Sequence, residues 1–379
     1  MDYQFSALDI NFLVKELNTI LNRAKIEKIY QFKKKEFSIL FHIPNLGKKF
    51  LRISIPSFVH LTQLKEEAPL NPFQFCLALR KYLQNAYLIN IKQLNFERII
   101  DFTFDTKNEE MHLIIEFFSK GNLFLTDSNY IIKILLDPQK WKTRTLRGNV
   151  LYEFPKKDYN PFLINYEDFS NLIDNSNKES IVKTLAIDLG FGGLYSEEIC
   201  FNAKIDKNKY FLDDNEKKEL YNSMINLINS KINANVLSST KDDKKFILPF
   251  NLNSIDKNLN YEQKHFDSFN EALDFVFSDN KILNAKEESK KPFDKEKNKL
   301  LLQIKQQENH IELLENEIKE NTNKGNILYN NYSKIEPFIE KLNELLKNKS
   351  QKEVREIIKD IKFIKDINFK DKTVIIDID

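Results

Sequence analysis

Glu97 and Arg98 stand side by side in Gln93-Leu94-Asn95-Phe96-Glu97-Arg98-Ile99-Ile100, a run otherwise apolar enough to read as a buried strand. An arginine guanidinium presents a planar fork of donors that fits a phosphate or a base edge, and an adjacent carboxylate can orient that fork or accept from an amino group. A cross-strand salt bridge would use the same two residues. The second stretch with chemistry is Gly190-Phe191-Gly192-Gly193, a turn between two helical patterns. Glycine lets a chain approach closely, and a helix starting there turns free N–H groups and a positive dipole end toward an anion. A plain helix-helix connector would have the same composition. Cations able to touch a nucleic-acid backbone gather in the first half: Arg80 and Lys81, Lys120 with Asn122, and Lys142, Arg144 and Arg147 beside Trp141. Each alone reads as solvated charge; together they make a phosphate-contacting surface.

Other chemistry is missing. The chain has no P-loop, dinucleotide-binding glycine pattern, nucleophile elbow or paired-histidine motif, and His42, His60, His112, His265 and His310 are scattered, so no catalytic role and no cofactor is expected. Cys76 and Cys200 stand far apart without companion ligands, which excludes a disulfide framework and argues against zinc. No basic-then-apolar leader opens the chain and no apolar run reaches the roughly 18 residues of a membrane span, so a cytoplasmic protein with no membrane partner is expected. The net charge is only +2, yet residues 1–150 carry 22 Lys and Arg against 15 Asp and Glu, which leaves the remainder at −5. A basic front half permits contact with RNA.

The elements that must position these residues follow from periodicity. Ile10, Leu13, Val14, Leu17, Ile20 and Leu21 predict an amphipathic helix over 9–23, with Ser6 or Asp9 as its N-cap. Strands are predicted at 26–32, 37–43 and 50–55 as an antiparallel meander, then at 87–104, 111–118, 122–125 and 130–136. A helix at 73–83 between the two groups would bury Phe73, Phe75, Leu79 and Leu83. Helical periodicity dominates 180–230, and 231–285 reads as a small mixed segment with a strand at Phe246-Ile247-Leu248. From Leu300 a heptad places Ile304, Ile311 and Ile318 at one core position and Leu300, Gln307 and Leu314 at the other. It continues through Leu328, Tyr332, Ile335, Ile339, Leu342 and Leu346 past Gly325 and Pro337. Residues 300–346 would extend on the order of 70 Å as a straight helix, with a bend at Pro337. Such an arm needs a helical partner.

Five motifs in order resemble the NFACT family of ribosome quality-control factors, RqcH in bacteria and NEMF in animals, also known as fibronectin-binding protein A-like. They are PFQFCLALRKYL at 72–83, the run around Glu97-Arg98, EFFSKGNLFLTD at 116–127, RGNVLYEFP at 147–155 and LAIDLGFGGLYSEEI at 185–199. The resemblance implies an α+β fold: an N-terminal antiparallel sheet domain similar to formamidopyrimidine-DNA glycosylase N-domains, a helical, helix-hairpin-helix-like region, and a long coiled-coil arm. The expected divisions are 1–165 for the sheet domain, 166–285 for the helix-hairpin-helix-like and mixed segment, 286–365 for the arm, and 366–379 for the start of a middle segment. The C-terminal RNA-binding domain of the family would lie on a missing part or another chain, which would also supply the arm's partner helix. Glycosylase chemistry is not expected, because Asp2 and Tyr3 stand where those enzymes need an N-terminal proline and glutamate and their zinc-finger cysteines are missing.

The resemblance further implies binding to the rRNA of the large ribosomal subunit carrying stalled peptidyl-tRNA, and recruitment of charged tRNA for mRNA-independent C-terminal tailing with alanine. The ribosome would supply the chemistry. Glu97 and Arg98 match the family's acidic-arginine pair tied to tRNA, where Asp is frequent and Glu97 is one methylene longer. Further candidate RNA contacts are Arg80, Lys81, Lys120, Asn122, Arg144, Arg147, Gly190, Gly192 and Gly193. The alternative is a coiled-coil protein-interaction scaffold without tRNA selectivity. An adhesin role, attached to some bacterial relatives, would need an export signal that this N-terminus does not display.

Overall fold

Ser6 opens the first helix. Its Oγ accepts from the Asp9 N–H at 3.0 Å while Asp9 Oδ2 accepts from the Ser6 N–H at 2.8 Å, a capping box that starts α1 (Ala7–Ile20) ahead of the position that apolar spacing predicts. The computed structural model describes residues 3–140, 144–241, 244–255, 261–359, 361 and 363–377, with the side chains of 279–296 and 298 excepted. The chain divides into two units, Met1–Asn284 and Ala285–Asp379.

In the first unit, β1 (Lys25–Lys33), β2 (Glu36–Ile43) and β3 (Gly47–Ser54) form the expected meander, extended by an unexpected β4 (Phe58–Thr62). Next, α2 (Gln74–Leu83) buries Cys76, Leu79 and Leu83. Phe73 is its N-cap and is 40% exposed, a correction to its expected place in the core: it precedes the first helical turn and so lies off the apolar face. The predicted strand at 87–104 is two strands, β5 (Tyr87–Gln93) and β6 (Ile99–Asp105), with a tight turn between them. With β7 (Glu110–Glu116), β8 (Asn122–Asp127) and β9 (Ile132–Leu135) they complete a nine-stranded antiparallel sheet of order β4-β3-β2-β1-β5-β6-β7-β8-β9. The two-residue strands β10 (Gln139–Lys140) and β11 (Thr145–Leu146) pair separately.

Four helices follow: α3 (Tyr166–Asn175), α4 (Ile181–Ile187), α5 (Gly192–Asn202) and α6 (Asp214–Ile228). A small sheet of β12 (Asn235–Ser239), β13 (Lys245–Leu248) and β14 (Tyr261–His265) comes next, ordered β13-β12-β14. One hydrophobic core runs from α1 and the large sheet through α3–α6 to β12 and β13, so the helices are packed on the sheet and share its interior. Both cysteines are free and buried in it.

The next helix, α7 (Phe269–Asn330), starts earlier than the expected arm because Phe269, Ala272, Leu273 and Val276 bury in this same core. Among the described residues, no helix is long and apolar enough to cross a membrane.

In the second unit the heptad splits. Leu300, Ile304, Ile311, Leu314 and Ile318 stay exposed along α7, and no helix among the described residues pairs with that stripe. Gly325 stays helical; the break falls at Asn331 (φ −107°, ψ 14°), before Pro337, which lies inside α8 (Tyr332–Asn348). A proline disturbs the turn that precedes it, and Asn331 ends that turn by donating its Nδ2–H to the Ile327 carbonyl at 3.1 Å. Beyond the break, α9 (Gln351–Ile358) and the hairpin of β15 (Ile364–Asn368) and β16 (Thr373–Ile376) fold onto α8, where Leu342 packs with Val354, Ile358 and Ile367. Of the later heptad positions, Leu342 thus serves this small globular cap, while Leu328, Tyr332, Ile339 and Leu346 stay exposed.

Candidate nucleic-acid interface

Glu97 and Arg98 lie in the turn between β5 and β6, not in a strand. Asn95 and Phe96 both have φ of +51°, the left-handed region that costs a β-carbon-bearing residue of order 1–3 kcal/mol. The Glu97 N–H closes the turn on the Leu94 carbonyl at 2.8 Å, and the Arg98 carbonyl accepts from Phe117 N at 2.8 Å. The expected salt bridge forms with another partner: Glu97 faces the ammonium of Lys157 at 3.7 Å. Arg98 is left half-buried, and among the described residues its guanidinium makes no hydrogen bond or ion pair. Burial pushes that guanidinium below its usual pKa, and the charge of Glu97 opposes the shift.

Lys157 is the residue that sequence reasoning missed. It sits two positions past Pro155, in a stretch with no periodicity to mark it. Its side chain is only 9% exposed; Nζ donates to the Phe96 carbonyl at 3.1 Å and lies 4.9 Å from the centroid of the Phe96 ring. Burial lowers its pKa, with Glu97 pulling the other way. The same ammonium packs on Gly190: a Cβ at that position would come within 2.2 Å of it, and Gly190 has φ of +78°. The positive φ favours glycine there, and any side chain would also have to push the flexible end of the lysine aside.

Gly190 and Phe191 form the turn between α4 and α5. Gly192 also has positive φ, +72°, whereas a side chain at Gly193 would meet open space. Phe191 offers no side-chain cap to α5, so the first-turn N–H groups of that helix lack the usual acceptor.

Glu97, Arg98, Lys157 and Gly190–Gly193 line one cleft of about 730 Å³. Its other walls are the segment from Tyr3 to Ala7 and the β13 edge from Lys244 to Leu248. Asp9 and Tyr195 line it as well; Tyr195 donates its hydroxyl to Asp9 Oδ1. Burial raises the Asp9 carboxyl to about 6, with the bonds from Tyr195 and Ser6 restraining the rise. Tyr3 Oη is buried without a hydrogen-bond partner. A guanidinium fork, an uncapped helix start and Lys244 and Lys245 around one hollow can hold an anion with a planar group beside it.

The remaining candidates separate. Arg80 spends its Nε–H on the Ile29 carbonyl at 2.7 Å, while Lys81 beside it is exposed. Asn122 is buried, its Nδ2 donating to Asp137 O at 2.7 Å and its Oδ1 accepting from Asp137 N at 3.1 Å. That amide ties β8 to the 137 loop, which removes Asn122 from the candidate RNA contacts. Arg144 is withdrawn too: it pairs with Glu116 at 2.7 Å and stacks 4.7 Å from the Tyr152 ring centroid. Arg147 is exposed, and Trp141 and Lys142 lie outside the described residues. Lys120 lines a second hollow, of about 500 Å³, with Lys34, Lys35 and Lys140 against the carboxylates of Asp137 and Glu116. No group of three or more metal-ligating side chains occurs among the described residues.

Comparison with known proteins gives this architecture a family. An archaeal Rqc2 homologue, aRqcH of Methanocaldococcus jannaschii, is 31% identical over 381 residues, covering 96% of this chain and 55% of its own length. The human ribosome quality control complex subunit NEMF is 32% identical over 136 residues, 36% of this chain and 12% of its own. The chain thus spans about half the length of the archaeal relative and a smaller share of the human one. Among solved structures, the N-terminal part of the fibronectin/fibrinogen-binding protein of Streptococcus suis superposes with a TM-score of 0.58 at 23% identity, over 73% of this chain and 99% of that one. The fibrinogen-binding protein of Staphylococcus aureus gives 0.57 at 22% identity, over 71% and 97%. At those identities the likeness is one of fold. The family model for NFACT N-terminal and middle domains matches residues 6–374, nearly the whole chain, and the chain belongs to that family.

Proposed function

We propose that this chain is the N-terminal and middle part of a cytoplasmic ribosome quality-control factor and that its cleft receives tRNA. In this reading the factor engages the rRNA of a large subunit bearing stalled peptidyl-tRNA and recruits charged tRNA, so that the stalled chain is extended, with alanine, without mRNA. Bond formation belongs to the ribosome and the factor positions the substrate. The observation that carries the reading is Arg98: a half-buried guanidinium in a large cleft, with no partner among the described residues and with Glu97 fixed beside it by Lys157. An arginine kept out of full solvent with no hydrogen bond or ion pair among the described residues suits a phosphate or base edge brought by a ligand. The start of α5 supplies N–H donors, and Lys81, Arg147 and the lysines around Lys120 supply a collective phosphate-contacting surface. The names of the archaeal and human relatives support the setting.

The test is recovery of RNA with tagged protein from cells, wild type beside Arg98→Ala, followed by sequencing. Large-subunit rRNA with a restricted set of tRNAs, the tRNAs being lost in the variant, is the expected outcome. An unselected mixture recovered equally by both proteins would overturn the reading.

The exposed apolar stripe of α7 favours a second reading, a scaffold that pairs its arm with a helical partner. Added salt separates the two, because phosphate contacts weaken steeply with ionic strength and an apolar helix interface does not.

A further inference from the structure

Lys157 joins the two turns of the cleft, β5–β6 and α4–α5. Its ammonium holds the Phe96 carbonyl and Glu97 on the first, and its tip occupies the space that the missing Cβ leaves at Gly190 on the second. We propose that Lys157 is the positioning residue of the tRNA site, holding the left-handed β5–β6 turn so that Glu97 and the Arg98 guanidinium face the ligand. The proposal rests on reading the cleft as a tRNA site.

Three features carry it. First, the turn is strained at Asn95 and Phe96, so a tie is needed to keep it from relaxing, and the bond from Lys157 falls on the carbonyl of the second strained residue. Second, Lys157 answers Glu97, while among the described residues the Arg98 guanidinium makes no hydrogen bond or ion pair; without the ammonium, the Glu97 carboxylate beside it is left free to turn to the guanidinium. The lysine thus keeps the arginine available. Third, a buried ammonium costs desolvation and contributes little net stability when its pair is imperfect, so packing alone does not explain a charge at this place. A long apolar side chain would fill the same volume.

The experiment uses the whole chain, with affinity for alanine tRNA against unrelated RNA of equal length as readout and thermal unfolding as control. Lys157→Met keeps the packing volume and removes the charge. The expected result is an unfolding midpoint within a few degrees of wild type with a loss of tRNA preference of about tenfold. In the double variant with Arg98→Ala, Lys157→Met is expected to add nothing to the arginine loss, because it acts through that arginine. Lys157→Arg, which retains a cation able to reach the Phe96 carbonyl, should restore part of the preference. If Lys157→Met fails to fold, Lys157→Gln, a neutral side chain that keeps polar atoms at the Phe96 carbonyl, tests the same charge and leaves residues 97, 98 and 190 untouched.

An unchanged tRNA preference in Lys157→Met, or in Lys157→Gln where that variant is needed, overturns the proposal, and so does a loss that adds in full to that of Arg98→Ala. If Arg98→Ala itself changes nothing, the reading of the cleft falls first and takes this proposal with it.

Discussion

Asn270 meets the backbone of Leu61 with both ends of its amide: Oδ1 accepts from Leu61 N at 2.6 Å and Nδ2 donates to Leu61 O at 3.1 Å. The side chain continues the edge of the sheet where no further strand exists, and it fastens the start of α7 to β4. Glu16 completes the attachment by accepting from the N–H groups of Phe269 and Asn270 at 2.8 and 2.9 Å. Because Asn270 is buried, Asn270→Ala leaves two backbone groups of Leu61 unsatisfied. A loss of about 2–4 kcal/mol is expected in urea unfolding followed by circular dichroism. RNA recovery by the folded fraction should stay unchanged, since Asn270 lies outside the cleft lining.

Replacing Arg98 by lysine keeps the charge and removes the planar fork. On the proposed function, Arg98→Lys lowers tRNA preference by about 1–3 kcal/mol, close to Arg98→Ala, while affinity for unrelated RNA changes little. Competition binding with labelled tRNA checks this. A lysine variant that behaves as wild type would mean that the site reads charge alone.

Asp9 gives the fold a pH dependence whose sign is fixed. Its folded pKa, about 6, lies above the ordinary value of 3.8, so the folded state holds a proton that the unfolded state has released between those two values. Stability is full below pH of about 4 and declines as pH rises toward about 6, by at most ~3 kcal/mol from this group. Asp9→Asn should flatten that decline in denaturant titrations run from pH 4 to 7. A decline of the same size in the variant would assign it to other groups.

Lys34, Lys35, Lys120 and Lys140 surround a hollow in which Asp137 answers two of them, Lys34 at 2.7 Å and Lys35 at 3.7 Å. Replacing Lys120 and Lys140 with alanine should weaken binding to all RNAs alike. The slope of log affinity against log salt should fall by roughly 1 for each phosphate that no longer meets a lysine. Selectivity among tRNAs should be unaffected. An unchanged slope would show that this surface faces away from RNA.

How much of this was legible in the sequence depends on whether a residue's role is local. The alternation of Phe37, Ile39 and Phe41 marked β2, and Ser6 or Asp9 offered a cap for α1, because each signal lies within a few residues; that both act together as a capping box starting the helix at Ala7 was not apparent. By contrast, β4 escaped since nearly every residue from Phe58 to Thr62 is buried, so no polar face alternates with an apolar one. The β5–β6 turn was hidden for a related reason. Asn95 is an ordinary turn residue, but Phe96 is not, and its apolar side chain made the run look like uninterrupted strand. The Glu97–Arg98 pair was visible as chemistry, whereas its environment was not. The cleft assembles residues near positions 5, 97, 157, 190 and 245, and no spacing rule connects them. The heptad spacing does not run as one stripe, because the helix breaks at Asn331 and α8 turns Leu342 into a local cap, a contact with residues 354–367 that no repeat announces.

The fit of the Lys157 ammonium against the bare backbone of Gly190 also limits how this family can drift. A side chain at position 190 would have to push the end of the lysine aside and also adopt a positive φ, and a shorter residue at 157 removes the first obstacle but not the second. Position 190 therefore favours glycine whatever stands at 157, whereas a lysine at 157 depends on the space that this glycine leaves.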